Sequence, residues 1–469
     1  MDKIDFLCLA PFLILAAAPV IIMLAITVKR NFFFTYAFTL LSLVGVFLSL
    51  FLVKPYLPHD FHPLLTLDNF GILFMGIILV SAILITVLSY EYLRVQFGER
   101  EEYFIIMLVA VLGATILVIA EHFISFFLGL EILSISLYVL TAYLKWRDRC
   151  IEAGVKFLVV SSVSTAFLLF GMGLIYASTG TMSFGEIVSS GDRMLSPVFL
   201  VGFGMMLVAI GFKLALVPFH LWAADVYQGS PMPATVFVAT ISKGAVLALA
   251  LRLFLAMKAY ENTTLVTIIS VISIVTMFTG NFLALTQNNI KRLLAYSSIA
   301  HLGYLLITLL SGNAGTGAAI FYLAAYTVTT LAAFGVLSAL SVCERDADNP
   351  DDIQGLFRKN PWLAMVLTLA LMSLAGIPLT AGFMSKFYLV LSGAGAGLWI
   401  LAASLVINSV ISLYYYLRLV RIMFTEPLPG EKVPVPVGIN FVLAIALAGI
   451  LILGILPSLM LSIINSMLG

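Results

Sequence analysis

The sequence predicts an all-α polytopic membrane protein of about 14 transmembrane helices, on the strength of three observations. Only 10% of the 469 residues are charged and 62% are hydrophobic, with a mean hydropathy of +1.14. Soluble chains carry about 25% charged residues. Apolar runs near the ~20 residues that cross a bilayer recur along the whole length and leave no room for a sizeable soluble domain. The basic residues are divided unequally between alternate loops, the asymmetry that sets the orientation of membrane spans.

Runs bounded by charges, Pro or Gly begin near Phe6, Phe32, Phe70, Tyr103, Phe123, Ala153, Pro197, Met232, Leu265, Leu293, Gly315, Trp362, Leu398 and Val437. The first, Phe6 to Val28, exceeds a signal-peptide core, and Asp2-Lys3-Ile4-Asp5 before it is not a basic n-region, so it reads as a retained helix. Spans one to three occupy 1–100, four to eight 101–260, nine to thirteen 261–428, and the last 429–469. Fifteen basic residues, from Lys29 and Arg30 through Lys291 and Arg292 to Arg418, Arg421 and Lys432, fall in loops after odd-numbered spans. Lys3, Lys54, Arg193 and Lys258 fall on the other side. That bias places the odd loops in the cytoplasm and, with an even count, both termini on the outer, periplasmic side of a cell inner (plasma) membrane. The longest cytoplasmic loop, CERDADNPDDIQGLFRKNP from Cys343 to Pro361, reads as a connector or docking surface.

A net charge of +1 gives no support for a nucleic-acid partner. Cys8, Cys150 and Cys343 form no CxxC or ligand-spaced cluster, so no disulfide framework, zinc or iron–sulfur site is expected. No stretch has the form of a nucleotide or flavin site. Any redox chemistry must then belong to a partner.

Setting aside loop residues, and Arg252 near the outer end of span eight, leaves Glu131, Lys156, Lys213, Lys243 and Lys386 at membrane depth. Each such charge costs about 2.5–3.5 kcal/mol at a helix centre, so together they cost on the order of 10–17 kcal/mol before pairing. Lys156, one turn into its span, either snorkels to the headgroups or acts within the bilayer. Lys243 is central and reaches neither interface. Glu131, in LGLEILSISLYVL, is either half of a structural ion pair or functional. His301, in SSIAHLGYL, is either a packing histidine or a proton relay. His59, His62 and His122 lie in a loop or at a helix end and receive no role.

Two helices are expected to break. In GFKLALVPFHLWAADVY, Pro218 removes a backbone donor just after Lys213. In SLAGIPLTAGFMSKFYL, Gly376, Pro378 and Gly382 interrupt the twelfth span shortly before Lys386. Irregular backbone at that depth survives only where it is buried in protein or lines a cavity. Breaks at corresponding places point to two inverted five-helix repeats, spans four to eight and nine to thirteen. The alternative is a pair of ordinary proline kinks, but each break coincides with a lysine. Desolvation loosens an ammonium's hold on its proton and a nearby carboxylate restores it, so Glu131 and Lys213 have the charges for a switchable pair. Lys243, His301 and Lys386 could carry the proton onward. A resident cation would want several carboxylate and carbonyl oxygens, and one carboxylate among four lysines does not supply them.

The stretches LGLEILSISLYVL, EAGVKFLVVSSVSTAFLLFGMGLIYASTGT, GFKLALVPFHLWAADVYQGSPMPAT, NIKRLLAYSSIAHLGY and SLAGIPLTAGFMSKFY resemble the antiporter-like subunits of respiratory complex I over spans four to thirteen. Within that family DVYQGSPMPAT and NIKRLLAYSSIAHLGY are more similar to the N-type branch than to the L or M types, and the long lateral helix of the L type is not expected. The resemblance implies a proton-translocating membrane-arm subunit with no cofactor or metal of its own. It implies NADH, FMN, iron–sulfur clusters and quinone in partner subunits, with other membrane subunits and a peripheral redox arm as partners. It suggests Glu131 and Lys213 as the modulating pair, Lys243 as central relay, Lys386 as exit-side lysine, and a part for Lys156. Ala223-Ala224 stands where the family has Thr-Pro, Met232 where it has threonine, and Leu379 and Ser385 where it has proline and glycine. None of these departures removes a titratable group; they bear on helix geometry. The rival readings are a subunit of a multi-subunit cation/proton antiporter and a scaffold whose buried charges only fix packing.

Overall fold

Polar caps set where the helices begin. Phe32–Val53 (α2), which follows Lys3–Val28 (α1), is capped by Asn31, whose Oδ1 accepts from Phe34 N at 3.0 Å. Asp68 caps Asn69–Arg94 (α3) through Gly71 N at 2.7 Å. The computed structural model describes residues 3–96, 100–191, 196–343, 345–426 and 434–468; Asp2, Arg193, Glu344 and Lys432 of the sequence reading lie outside them. Between α2 and α3, His59–Phe61 (β1) pairs antiparallel with Leu65–Leu67 (β2), His59 opposite Leu67. Thr66 N donates to Ile119 O at 3.0 Å and Glu121 N to Leu64 O at 3.1 Å, so this hairpin is stitched to the turn after Glu102–Val118 (α4).

Phe123–Thr141 (α5) and Asp148–Thr179 (α6) follow, α6 ending at Gly180, whose φ of 80° suits only a residue without Cβ. After short Phe184–Ser189 (α7) come Pro197–Lys213 (α8) and Leu221–Gly229 (α9), separated by irregular backbone. Met232–Phe237 (α10) runs through a π turn, Val238–Ser242, into Lys243–Ala256 (α11). Thr263–Leu285 (α12), Ile290–Leu310 (α13) and Asn313–Leu340 (α14) are continuous. Short Pro350–Ile353 (α15) and Leu356–Lys359 (α16) lead to Pro361–Ala375 (α17) and, past a second interruption, Ala381–Gly395 (α18). Trp399–Met423 (α19), Val437–Ile455 (α20) and Pro457–Leu468 (α21) complete the chain.

Among the described residues 11 helices are long and apolar enough to cross a membrane, and α4, α8, α17 and α21 are shorter apolar helices. The chain is a predominantly helical membrane protein. Several helices begin a few residues before their apolar runs, as α6 does at Asp148 and α13 at Ile290, because a polar first turn is still helical. The β-hairpin, α7, α15, α16 and α21 are additions to the sequence reading.

A few helices are enclosed by the others. Every residue in the apolar stretches of Met232–Ala256 and of α13 is buried, against 33% for α6 and α20. Close neighbours meet through small residues: a Cβ on Gly113 of α4 would stand 2.6 Å from Leu133 N of α5, and one on Gly280 of α12 would stand 2.7 Å from Ala300 N of α13. The centre is therefore made of α10–α11, α13 and α14, which carry Lys243, His301 and a set of tyrosines.

Candidate functional site

The first break exposes backbone groups, and several of them are claimed. Leu214 N and Leu216 N close the end of α8 on Ile210 O and Gly211 O at 2.9 and 2.8 Å. Val217 N donates to Thr276 Oγ1 of α12 at 3.1 Å, and the Trp222 indole reaches back to Phe212 O at 3.0 Å. Pro218 has no N–H to satisfy. Ala215 takes a left-handed φ of 55°, a strain that persists only where the surroundings enforce it. His220, buried in the same break, leaves Nδ1 without a partner among the described residues.

Lys213 is the last residue of α8 and is buried. Its Nζ donates to Ser134 Oγ of α5 at 2.6 Å and to Ser161 Oγ of α6 at 2.5 Å. Ser161 also accepts from Tyr138 OH at 2.6 Å. Glu131, one turn before Ser134, accepts from Thr165 Oγ1 at 2.7 Å instead of meeting Lys213. Lys213 makes no ion pair among the described residues. The two charges face one seam of hydroxyls between α5 and α6.

Lys243 stands at the end of the π turn, an i→i+5 irregularity that re-aims side chains and recurs at functional sites. Its Nζ donates to Ser298 Oγ of α13 at 2.6 Å and lies 5.3 Å from the Tyr227 ring centre. Ser298 also accepts from Tyr326 OH of α14 at 2.8 Å. One turn along α13, His301 Nδ1 pairs with Tyr322 OH at 2.5 Å and Nε2 lies 3.5 Å from Tyr416 OH, which is itself bonded to Ser297. The imidazole sits 5.4 Å from both the Tyr304 and Tyr326 ring centres.

At the second break α17 ends on Gly376, φ 88°, and Leu379 adopts φ 71°. Lys386 Nζ then donates to Leu374 O, Ala375 O and Ser409 Oγ, each at 2.9 Å. An ammonium there satisfies carbonyls that the interrupted helix leaves open and meets the negative end of its dipole. Gly382 N donates to Ser373 Oγ at 3.0 Å, and a Cβ at Gly382 would fall 1.7 Å from Ser373 O, so the two half-helices touch through backbone. Lys386 also lies 5.5 Å from the Tyr304 ring, whose hydroxyl accepts from Asn281 at 3.2 Å. Lys213, Lys243 and Lys386 are thus all buried, all bonded to neutral oxygens, and all free of carboxylate partners among the described residues.

Lys156 differs. Its side chain is 45% exposed and pairs with Glu152 at 2.7 Å and Asp225 of α9 at 3.0 Å, while Asp225 also pairs with Arg292 at 2.6 Å. Lys291, read as a loop charge, is fully buried: its Nζ donates to Ser230 O at 2.6 Å and pairs with Asp346 at 2.8 Å. Asp346 also binds Arg147 at 2.9 Å and Tyr92 OH at 2.6 Å, so the 343–361 loop is anchored inward. Burial opposes ionisation of Asp346, but the Lys291 and Arg147 charges overcome it and hold the carboxyl below the usual range. Sequence reasoning missed this cluster because Lys291 lies beside a helix start. Its signal is a carboxylate in a short loop between long helices, which alone names no partner.

Residues 120–412 match the family described as NADH:quinone oxidoreductase/Mrp antiporter, transmembrane. The chain is 44% identical over 455 residues, 96% of its length and 92% of the relative's, to NADH-quinone oxidoreductase subunit N of Methylococcus capsulatus. It is similar to a chain of respiratory complex I from Thermus thermophilus, with a TM-score of 0.84 and 33% identity over 96% of this chain and 98% of that one. A chain of the Mrp complex from Dietzia sp. shares the fold, with a TM-score of 0.88 at 19% identity, covering 100% and 97%. With more than half its length matched and a curated relative at this identity, the chain belongs to the NADH:quinone oxidoreductase/Mrp antiporter transmembrane family.

Proposed function

We propose that the chain is the N-type, proton-translocating subunit of the membrane arm of an NADH:quinone oxidoreductase, without a redox centre of its own. Its relative of 44% identity bears the name of that subunit. In this reading NADH, FMN, iron–sulfur clusters and quinone reside in partner subunits, and redox energy released there alters the Glu131–Lys213 interaction across the α5–α6 hydroxyl seam. Protons pass from the cytoplasmic side through Lys243 and His301 to Lys386, with Lys156 at the uptake side. Counting α8–α9, α10–α11 and α17–α18 as single crossings gives about 14 spans with both termini outside. Spans four to eight (101–260) and nine to thirteen (261–428) are then the inverted repeats, flanked by helices over 1–100 and 429–469 in an inner membrane.

The observation that carries the proposal is the set of three buried lysines without counter-ions. Holding them costs on the order of 8–10 kcal/mol on insertion scales. A scaffold would gain more from leucine at each place, whereas a group that must take up and release a proton needs a neutral, hydrogen-bonding setting.

The test begins with the tagged chain extracted in mild detergent. Recovery in an assembly that reduces quinone with NADH is expected, and recovery with hydrophobic subunits alone would point to a cation/proton antiporter. In the assembled complex, Lys243→Ala is then expected to abolish this subunit's share of proton pumping while leaving assembly intact. Unchanged proton stoichiometry would remove Lys243 from the path.

A further inference from the structure

A lateral cavity of about 670 Å³ opens between α4, α5 and α6, and of the site residues above it is lined by Tyr138 alone. Its walls are aliphatic, with Val139, Ile151, Val155 and Leu158 between 43% and 53% exposed on the membrane-facing side. Its rim carries Lys145, Trp146 and Tyr143, an ammonium beside the two aromatic types that settle at headgroup level. Lys145 makes no ion pair among the described residues. The rim carboxylate, Glu102, is occupied by Arg30 at 2.7 Å. The mouth is therefore positive where the throat is apolar. Deeper in it lies Tyr138, in the last turn of α5.

From this arrangement we propose that the groove is a binding site for an anionic phospholipid, with the phosphate on Lys145 and one acyl chain laid between α5 and α6 as far as Tyr138. The charge pattern selects the occupant: an apolar helix of a neighbouring subunit would fill the walls but leave the Lys145 ammonium unmatched. A phosphate matches it, and the cytoplasmic leaflet on which the basic loops are expected to lie is the one rich in anionic lipid. The chain seals the ring of Tyr138, whose hydroxyl holds Ser161, so the lipid shields the Lys213 hydroxyl cluster from lateral water.

Replacing Val155 with p-benzoylphenylalanine in the assembled complex and irradiating whole membranes captures whatever occupies the groove. The expected adduct is a phospholipid, with anionic headgroups enriched about fivefold over their share of the membrane. An adduct with another subunit, or lipids in bulk proportion, would overturn the proposal. A second measurement uses the unlabelled complex in nanodiscs of dioleoyl phosphatidylglycerol and dioleoyl phosphatidylcholine in equal amounts, read by native mass spectrometry. Lys145→Glu is expected to lose one retained phosphatidylglycerol, and equal retention by wild type and variant would refute the site. Neither readout depends on proton pumping, so failure here and failure of the translocation reading are distinguishable.

Discussion

Asp346→Asn isolates the energetic weight of the ion cluster that ties α3, α6, α13 and the 343–361 loop together. Lys291 is wholly buried and Arg147 nearly so, and Asp346 is the one carboxylate within ion-pair distance of either among the described residues. Removing one partner of a buried ion pair costs about 3–5 kcal/mol, because the remaining charge is stranded. Arg147 keeps Val342 O and Cys343 O at 3.2 and 2.7 Å, and Lys291 keeps Ser230 O, so part of the cationic demand is still met. Asparagine also retains an acceptor. The loss is thus expected at the lower end, about 3 kcal/mol, rising towards 5 for Asp346→Ala. The assay is thermal unfolding of the detergent-solubilised complex followed through this subunit, with several degrees lost in Asp346→Asn and more in Asp346→Ala. The pH dependence follows from the depressed carboxyl. Its stabilisation is fully present above the unfolded value of about 3.9 and is lost as pH falls through the lower folded value. The gap between wild type and Asp346→Asn should therefore be constant from about pH 5 to 8 and close under strong acid. Variants melting within a degree of wild type at pH 7 would refute the clamp.

Leu379 adopts φ 71° and is 71% exposed, so Leu379→Gly relieves a left-handed conformation and is expected to stabilise by about 0.5–1 kcal/mol, read as a raised melting temperature. Gly382→Ala drives a methyl into Ser373 O and should separate the half-helices. The expected signature is lost assembly or a destabilisation above about 3 kcal/mol on blue-native gels and melting curves. Ser298→Ala removes an acceptor from both Lys243 and Tyr326. This subunit's share of the pumping is expected to fall about tenfold or more, as loss of a hydrogen bond to a charged group implies, while quinone reduction in uncoupled membranes persists.

The helical membrane architecture was legible in the sequence because apolar runs of bilayer length have few alternative readings, and both broken helices were legible because Pro218 and Gly376-Ile377-Pro378 stand beside lysines at membrane depth. The separation of Glu131 from Lys213 was not, since Ser134, Ser161 and Thr165 come between them from two different helices. Hydroxyl residues at membrane depth are too common to single out. The π turn before Lys243 has no local mark, because VATIS differs from α-helical sequence in nothing that composition records. Lys291 was misread for a geometric reason: nearness to a helix start predicts solvent only when no loop folds over it. Leu379, noted as a departure from its family, shows its effect as a strained backbone angle, not as a lost group.

Two serines share an arrangement with a consequence for traffic through the chain. Ser161 accepts from Lys213 and from the Tyr138 phenol, and Ser298 accepts from Lys243 and from the Tyr326 phenol. A hydroxyl oxygen has two lone pairs, so each serine is saturated as an acceptor. If the proposed path runs through these lysines, any further donor reaching either serine must wait until its phenol swings away, so Tyr138 and Tyr326 would act as turnstiles on the route.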